Sequence, residues 1–232
     1  MKNILWLLFF INFINSFGQE FEFAVVNDTD GFVNVRSSNE IKSNNITDKL
    51  ENGFVVTHFG AEGNWVLIDY KKNGKDLNGY IYKDRIKALN EYTKIPNVKT
   101  YESYITISNE KIKINIFEKS FDKTSHILKY YKENPKQLYK IDGKEFFGTD
   151  GNIPKKEYDF IEVEIDSKKI ILPKQAIENL YEPNLEYTTA NYNEKTKTLY
   201  IYALNGDGAG GYAILWIIEN GKYKMRIETI PF

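Results

Sequence analysis

A glycine-rich segment near the end of the chain has the composition of a phosphate- or cation-binding loop. Residues 205–211 read Asn-Gly-Asp-Gly-Ala-Gly-Gly, and three of the glycines satisfy the G-x-G-x-x-G spacing of dinucleotide-binding loops. That motif opens a helix in a βαβ unit, whereas a β-branched and aromatic run follows here. A calcium loop would need more acidic ligands than Asp207 and a Glu where Trp216 stands. We therefore predict a glycine-rich connection between strands.

The alternative for the same segment is a binding loop in which Asp207 and successive backbone N–H groups meet a polar partner. Its candidate residues are Asn205, Asp207, Gly208, Gly210, Gly211 and Tyr212.

Hydrolytic chemistry has few candidate residues. No G-x-S-x-G or H-E-x-x-H motif occurs, and the absence of cysteine excludes thiol nucleophiles and cysteine zinc sites. Glu162, Glu164 and Asp166 would share one face of a strand, where a solvated face is favoured over cation binding or acid–base work. We predict a protein that is not an enzyme, with no cofactor and no metal. The alternative places hydrolysis on Asp150, Glu162 or Asp207.

Aromatic residues in the first third of the chain could form a groove that stacks on sugars or peptide backbones. The candidate ligand-binding residues are Arg36, Trp65, Tyr70, Tyr80, Tyr82 and Asp84, with the two charged residues at the rim. For the tyrosines, a groove and a core position fit the pattern equally. For Trp65, which begins a strand after a turn, a core position is favoured.

The elements that would position this groove are short β-branched and aromatic runs separated by turn residues. We predict strands at 23–26, 33–36, 54–59, 65–70 and 79–82. Asn73-Gly74 should form a tight hairpin turn. Five short strands in so few residues favour closure into a small barrel, because closure removes exposed strand edges.

Four segments of this region carry a resemblance to a known family of domains. They are 30–37 (DGFVNVRS), 50–53 (LENG), Trp65-Val66 and 79–86 (GYIYKDRI). In order and spacing they resemble a bacterial SH3 (SH3b) domain. The resemblance implies an SH3-like barrel and, because the family is often associated with the cell wall, a cell-envelope ligand. Residues 39–45 and 70–77 depart from the family pattern, and they affect loops that would border a groove.

A second β-rich domain is predicted at residues 99–232, after a linker at 90–98. Predicted strands lie at 104–107, 111–117, 159–165, 169–172, 199–204, 212–218 and 222–230, and a short helix starts at Pro173. Asn220-Gly221 marks a hairpin in a final antiparallel meander, and the all-apolar strand 213–218 should be central. We thus expect a mainly β protein, with a small SH3-like barrel followed by an antiparallel β-rich α+β domain with one or two short helices.

Part of the second domain also resembles a family of exported bacterial proteins that has no assigned activity. The resemblance covers roughly residues 140–232. It rests on 148–155, 180–185 and 205–223.

The first residues have the pattern of a secretory signal peptide. Lys2 supplies a positive n-region, residues 4–14 an apolar h-region, and Ser16 and Gly18 the small residues before a cleavage site. We predict a signal peptide at 1–18 and an SH3b-like barrel at 19–89. The apolar run is too short to span a bilayer, so we expect no membrane insertion after cleavage, with an uncleaved anchor as the alternative.

Composition narrows the class of partner. The chain has 31 basic and 32 acidic residues, and this balance gives no support to nucleic-acid binding. We expect a periplasmic or secreted monomer that binds rather than catalyses, its SH3b module docking to a cell-envelope peptide or peptidoglycan. The alternative is a periplasmic inhibitor or immunity protein that blocks a toxin or hydrolase through surface loops such as 205–211.

Overall fold

The computed structural model describes residues 21–206 and 208–231, and within them the chain is mainly β, as predicted. The predicted signal peptide, Gln19 and Asp207 lie outside the described residues. The described residues divide into two compact units, with the boundary between residues 87 and 88.

The first sheet contains seven strands. They are β1 (Glu22–Val26), β2 (Phe32–Arg36), β3 (Ile46–Glu51), β4 (Val55–Glu62), β5 (Trp65–Lys72), β6 (Lys75–Tyr82) and β7 (Ile86–Ala88). A 3-10 helix, Lys83–Arg85, precedes β7. The strand order is β3-β2-β6-β5-β4-β1-β7. Among the described strands, β3 and β7 at the two ends do not pair, so the sheet does not close into the expected barrel.

One hydrophobic core lies on the inner face of this sheet. Strands β1 to β6 all contribute to it, with Ala24, Val35, Leu50, Ile68 and Ile81 almost fully buried. Alternation along the strands sends every second side chain to this face and the rest outward.

The hairpin between β5 and β6 confirms the predicted Asn73-Gly74 turn. Both turn residues have positive φ, 53° and 73°, which matches the twist of the flanking strands. The ladder then pairs every residue from Trp65 opposite Tyr82 to Lys72 opposite Lys75. This unbroken register fixes which side chains of the two strands share a face.

The second unit contains two five-stranded sheets and a two-stranded one. The strands are β8 (Thr93–Lys94), β9 (Asn97–Thr100), β10 (Tyr104–Ser108), β11 (Ile112–Ser120), β12 (Leu128–Tyr130), β13 (Leu138–Ile141), β14 (Lys156–Ile165), β15 (Lys168–Ile171), β16 (Thr188–Asn193), β17 (Thr198–Asn205), β18 (Tyr212–Glu219) and β19 (Lys222–Thr229). The sheet orders are β15-β14-β11-β10-β9, β19-β18-β17-β16-β8 and β12-β13. The short 3-10 helices are Leu89–Glu91, Lys123–Ser125, Lys174–Ala176, Leu185–Tyr187 and Gly208–Gly210.

Both five-stranded sheets contribute to one core. Ile114 and Ile161 come from one sheet, and Ile201 and Trp216 from the other. The predicted meander is confirmed, since β18 pairs with β17 on one side and β19 on the other. Every residue of β18 from Tyr212 to Ile218 is buried, as its all-apolar sequence predicts.

Two segments differ from the sequence expectation. Residues 90–98, expected as a linker, instead supply β8 and the start of β9, because Thr93 and Lys94 pair with β16 and residues 97–100 pair with β10. The helix expected from Pro173 is a single 3-10 turn, Lys174–Ala176. Helical geometry ends at Ile177, whose φ is −125°, and the positive φ of 57° at Asn179 prevents a longer helix.

Candidate functional site

The outer face of β5 and β6 carries most of the aromatic residues predicted to bind a ligand. Val66 and Ile68 point into the core, so Trp65 and Leu67, which alternate with them along β5, point outward. The register places Tyr82 opposite Trp65, and Tyr80 opposite Leu67. Residues opposite one another in a ladder share a face, so these four side chains are neighbours on the outer surface.

The aromatic rings of this face are partly exposed, and two of them are in contact. The ring centroids of Trp65 and Tyr82 are 4.2 Å apart with the planes tilted by 36°. Leu67 beside them is 48% exposed, which is high for a large apolar side chain. The rings form a half-buried apolar surface that lies outside the core of the unit.

Arg36 extends this face onto β2, because it lies opposite Tyr80 in the ladder. Its Nη1 donates hydrogen bonds to the carbonyl oxygen of Lys42 and to Oδ1 of Asn45, both at 2.7 Å. Asn45 is itself buried and held by further hydrogen bonds. The guanidinium is therefore held against the segment between β2 and β3. We call Arg36, Trp65, Leu67, Tyr80 and Tyr82 the outer aromatic face.

Tyr70 and Asp84, the other two residues predicted to bind a ligand, lie outside the outer aromatic face. Tyr70 points to the inner face and belongs to the core, where its hydroxyl donates a 3.0 Å hydrogen bond to Asp48. Burial and the Asp48 carboxylate raise the pKa of Tyr70 to about 12. Asp84 is exposed and lies 3.4 Å from Arg85. Neither residue contributes to the outer aromatic face, because strand alternation turns Tyr70 inward and Asp84 lies in the helix after β6.

The glycine-rich segment 205–211 is largely built into the second unit. Asn205 is 1% exposed, its amide Nδ2 donates to the hydroxyl of Tyr158, and its Oδ1 accepts from the backbone N–H of Asn184. Tyr212 is also buried, and its hydroxyl donates to the carbonyl oxygen of Tyr181. These side chains connect neighbouring segments and are not available to a polar partner.

Close backbone approach explains the glycines of this segment. A Cβ on Gly210 would lie 2.6 Å from backbone atoms of Thr149, and one on Gly206 would lie 2.7 Å from the carbonyl oxygen of Gly210. Gly210 and Gly211 are buried, whereas Gly208 is exposed. The segment is a strand connection that needs glycine for contact, as the first interpretation of its sequence predicts.

The acidic strand 162–166 does not gather its carboxylates into a site. Lys169 lies 3.8 Å from both Glu162 and Glu164, and Asn115 donates to Glu162. Asp166 lies in the turn after β14 with a positive φ of 47°. Asp150 is exposed in a separate loop. This is the solvated strand face that the sequence favours.

A cavity in the second unit was missed by the sequence analysis. It has a volume of about 680 Å³, within the range of small-molecule sites. Carboxylates and lysines from β11, β14 and the segments around 122–126, 141–144 and 172–181 line it.

His126 lies at one side of this cavity between two carboxylates. Its Nδ1 is 2.7 Å from Asp142 and its Nε2 is 3.3 Å from Glu157. The imidazole stacks on Phe121 with ring centroids 4.6 Å apart. Because both ring nitrogens face carboxylates, neither is free to activate a serine hydroxyl as in a catalytic triad. His126 therefore positions Asp142 and Glu157 in the cavity wall.

Tyr181 and Asp142 define the electrostatics of this wall. Burial raises the pKa of Tyr181, and the charges of Asp142, Glu157 and Glu178 raise it further. Burial alone would raise the pKa of Asp142, but the N–H of Ile127 and the imidazole of His126 together lower it. Asp142 is thus held as a carboxylate near the Tyr181 hydroxyl.

The same residues do not form a metal centre. In residues 21–206 and 208–231, no group of three or more His, Cys, Asp or Glu side chains has an arrangement that could hold a metal ion.

Two further findings bear on the class of protein. Within the part of the chain that the structure describes, no helix has both the length and the apolar character needed to span a bilayer. Comparison with family models, curated proteins and solved structures finds no match to this chain. A functional assignment must therefore be argued from its own residues.

Proposed function

We propose that this chain is an exported, non-enzymatic binding protein that docks to peptidoglycan or a related cell-envelope peptide through its outer aromatic face. The observation that carries the proposal is the position of Trp65, Tyr80 and Tyr82 together on the solvent side of β5 and β6. The leader-like residues 1–18 and the SH3b-like pattern support an envelope location and ligand.

The chemistry of this face suits a polymer of sugars and short peptides. Aromatic rings contact the apolar faces of sugars and the backbone of extended peptides. Arg36 adds a fixed positive charge. Among the described residues, its Nη2 and Nε donate to no protein acceptor, so they can donate to a carboxylate of the ligand.

Sedimentation with purified peptidoglycan tests this proposal. The wild-type mature protein should sediment with the polymer, and the double variant Tyr80→Ala, Tyr82→Ala should lose at least about tenfold in affinity, because each ring contributes on the order of 1 kcal/mol. Far-ultraviolet circular dichroism should show that the variant is folded.

A matched control removes two exposed tyrosines from the second unit. Tyr101 and Tyr131 are both 46% exposed, so Tyr101→Ala with Tyr131→Ala changes aromatic surface to a similar extent. This control should sediment like the wild type. Wild-type protein that stays in the supernatant, or equal loss in both double variants, would contradict the proposal.

The alternative of a periplasmic inhibitor has less support. It relies on residues 205–211 as a contact loop, but Asn205, Gly210 and Gly211 are buried. Gly208 and Ala209 are exposed, and they present little side-chain surface for a partner.

A further inference from the structure

We propose that the cavity of the second unit binds a small organic ligand through a primary ammonium group, with Tyr181 and Asp142 as its recognition residues. The proposal stands on this cavity alone and is independent of docking through the outer aromatic face.

The cavity wall carries more negative than positive charge. Five carboxylates line it, and they are Asp122, Asp142, Glu157, Asp159 and Glu178. Three lysines line it as well, and they are Lys119, Lys144 and Lys174. The net negative charge of the wall would repel an anionic ligand and attract a cationic one.

Internal ion pairs use part of this charge but not all of it. Lys119 lies 3.1 Å from Asp159, and Lys144 lies 2.5 Å from Glu178. Asp142 has no lysine or arginine within ion-pair distance among the described residues, and its direct partners are His126 and the N–H of Ile127. Asp142 is also the more exposed carboxylate beside His126, with 47% of its side chain accessible.

Tyr181 provides the second and independent observation. It is only 4% exposed, and its ring packs against Phe121 and Phe146. Among the described residues its hydroxyl has no hydrogen-bond partner, and it is not one of the fully enclosed polar atoms, so it opens into the cavity. Because the rest of the side chain is buried, this hydroxyl can find a hydrogen-bond partner only in the cavity, so its place in the cavity wall indicates a site for water or a polar ligand group.

The charges around this hydroxyl identify the ligand group. Asp142, Glu157 and Glu178 line the same cavity as Tyr181, and their charges act on its hydroxyl. An ammonium group has three donors and no acceptor, which matches a hydroxyl oxygen and neighbouring carboxylates. The volume of the cavity leaves room for the rest of an amino acid or an amino sugar.

Calorimetric titration of the full mature protein with four probes tests the proposal. Nα-acetyl-lysine amide and glucosamine carry the ammonium group on a peptide side chain and on a sugar, respectively. Nα,Nε-diacetyl-lysine amide and N-acetylglucosamine are their neutral counterparts, because acetylation removes the charge. At least one amine should bind at least tenfold more tightly than its acetylated form, and the better amine distinguishes the two sources. Equal binding of charged and neutral forms, or no binding by either amine, would overturn the proposal.

Variants locate the binding at this cavity. Tyr181→Phe keeps the packed ring and removes only the hydroxyl, so the protein should fold normally and bind the amine about three- to tenfold more weakly. Tyr187→Phe is the control, since Tyr187 is 62% exposed and outside the cavity. Asp142→Asn should also weaken amine binding while the neutral probes stay unchanged. Unaltered amine affinity in both Tyr181→Phe and Asp142→Asn would place the binding elsewhere and refute the inference.

The outcome is separable from that of the proposed function. The Tyr181→Phe protein should still sediment with peptidoglycan, and the Tyr80→Ala, Tyr82→Ala protein should still bind the amine. Each proposal can therefore fail without the other.

Discussion

Asp28 and Asp84 both contact the guanidinium of Arg85, but their environments differ. The Asp28 side chain is 1% exposed, and it also accepts a hydrogen bond from the N–H of Asp30. The Asp84 side chain is 71% exposed. The same type of ion pair is therefore expected to contribute very differently to stability at the two positions.

We expect Asp28→Ala to lower the free energy of unfolding by about 2–3 kcal/mol, because it removes a charged hydrogen bond and leaves the N–H of Asp30 unpaired. Urea denaturation measures the change. Asp84→Ala is the control and should change the unfolding free energy by less than about 0.5 kcal/mol. Equal effects of the two substitutions on the free energy of unfolding would contradict the expectation that burial makes the Asp28 contacts more stabilising.

The Asp28 effect should also depend on pH. The N–H of Asp30 and the Arg85 guanidinium hold the pKa of Asp28 below its ordinary value of 3.8. A lowered pKa contributes stability above the ordinary value, and this contribution is lost as the pH falls through the folded-state pKa. The difference in the free energy of unfolding between wild type and Asp28→Ala should therefore shrink as the pH falls below the ordinary value of 3.8.

Sequence alone singled out every residue of the outer aromatic face except Leu67, but it could not separate these residues from the core. Tyr70 and Tyr80 have the same type and similar neighbours, and only the register of the β5–β6 hairpin shows that one points inward and the other outward. His126 gave no signal at all, because Asp142 and Glu157 come from different elements and no local motif links the three.

The connection between β17 and β18 depends on backbone contact with the segment before β14. Gly210 lies against Thr149, and the N–H of Gly148 donates to the carbonyl oxygen of Gly210 at 3.1 Å. Such close crossing of two backbones leaves no space for a side chain.

We expect Gly210→Ala to destabilise the second unit by about 1–3 kcal/mol, because the added Cβ would lie 2.6 Å from the backbone of Thr149 and the crossing would have to separate. Thermal or urea unfolding measures the loss. Ala209→Ser is the control, because Ala209 lies next to Gly210 in the chain but is exposed. A Gly210→Ala protein as stable as the control would indicate that the crossing is not tightly packed.

Elements with strong local signals were predicted well, and those that depend on distant partners were not. Asn73-Gly74 and Asn220-Gly221 both form the predicted turns with positive φ. By contrast, β3 is polar along most of its length, and only pairing with β2 makes it a strand. The segment 93–94 has too few residues for any periodic pattern, and its strand character comes from β16.

At the scale of the whole molecule, buried tyrosines couple stability to alkaline pH. Tyr158 and Tyr212 are buried in the second unit, and burial raises the pKa of both above the ordinary value of 10.0. Burial also raises the pKa of Tyr200. A raised pKa contributes stability that is complete below the ordinary value and is lost as the pH rises above it.

We therefore expect the free energy of unfolding to fall steadily as the pH rises above 10, and the buried tyrosines to ionise only as the chain unfolds. Tyrosinate absorbance and far-ultraviolet circular dichroism, followed together, measure this coupling. Tyr158→Phe should cost about 1 kcal/mol at neutral pH, because the amide of Asn205 loses its acceptor, yet should make the alkaline decline less steep. Complete ionisation of the tyrosines while the circular dichroism stays native would contradict this prediction, because it would mean that water reaches these hydroxyls in the folded protein.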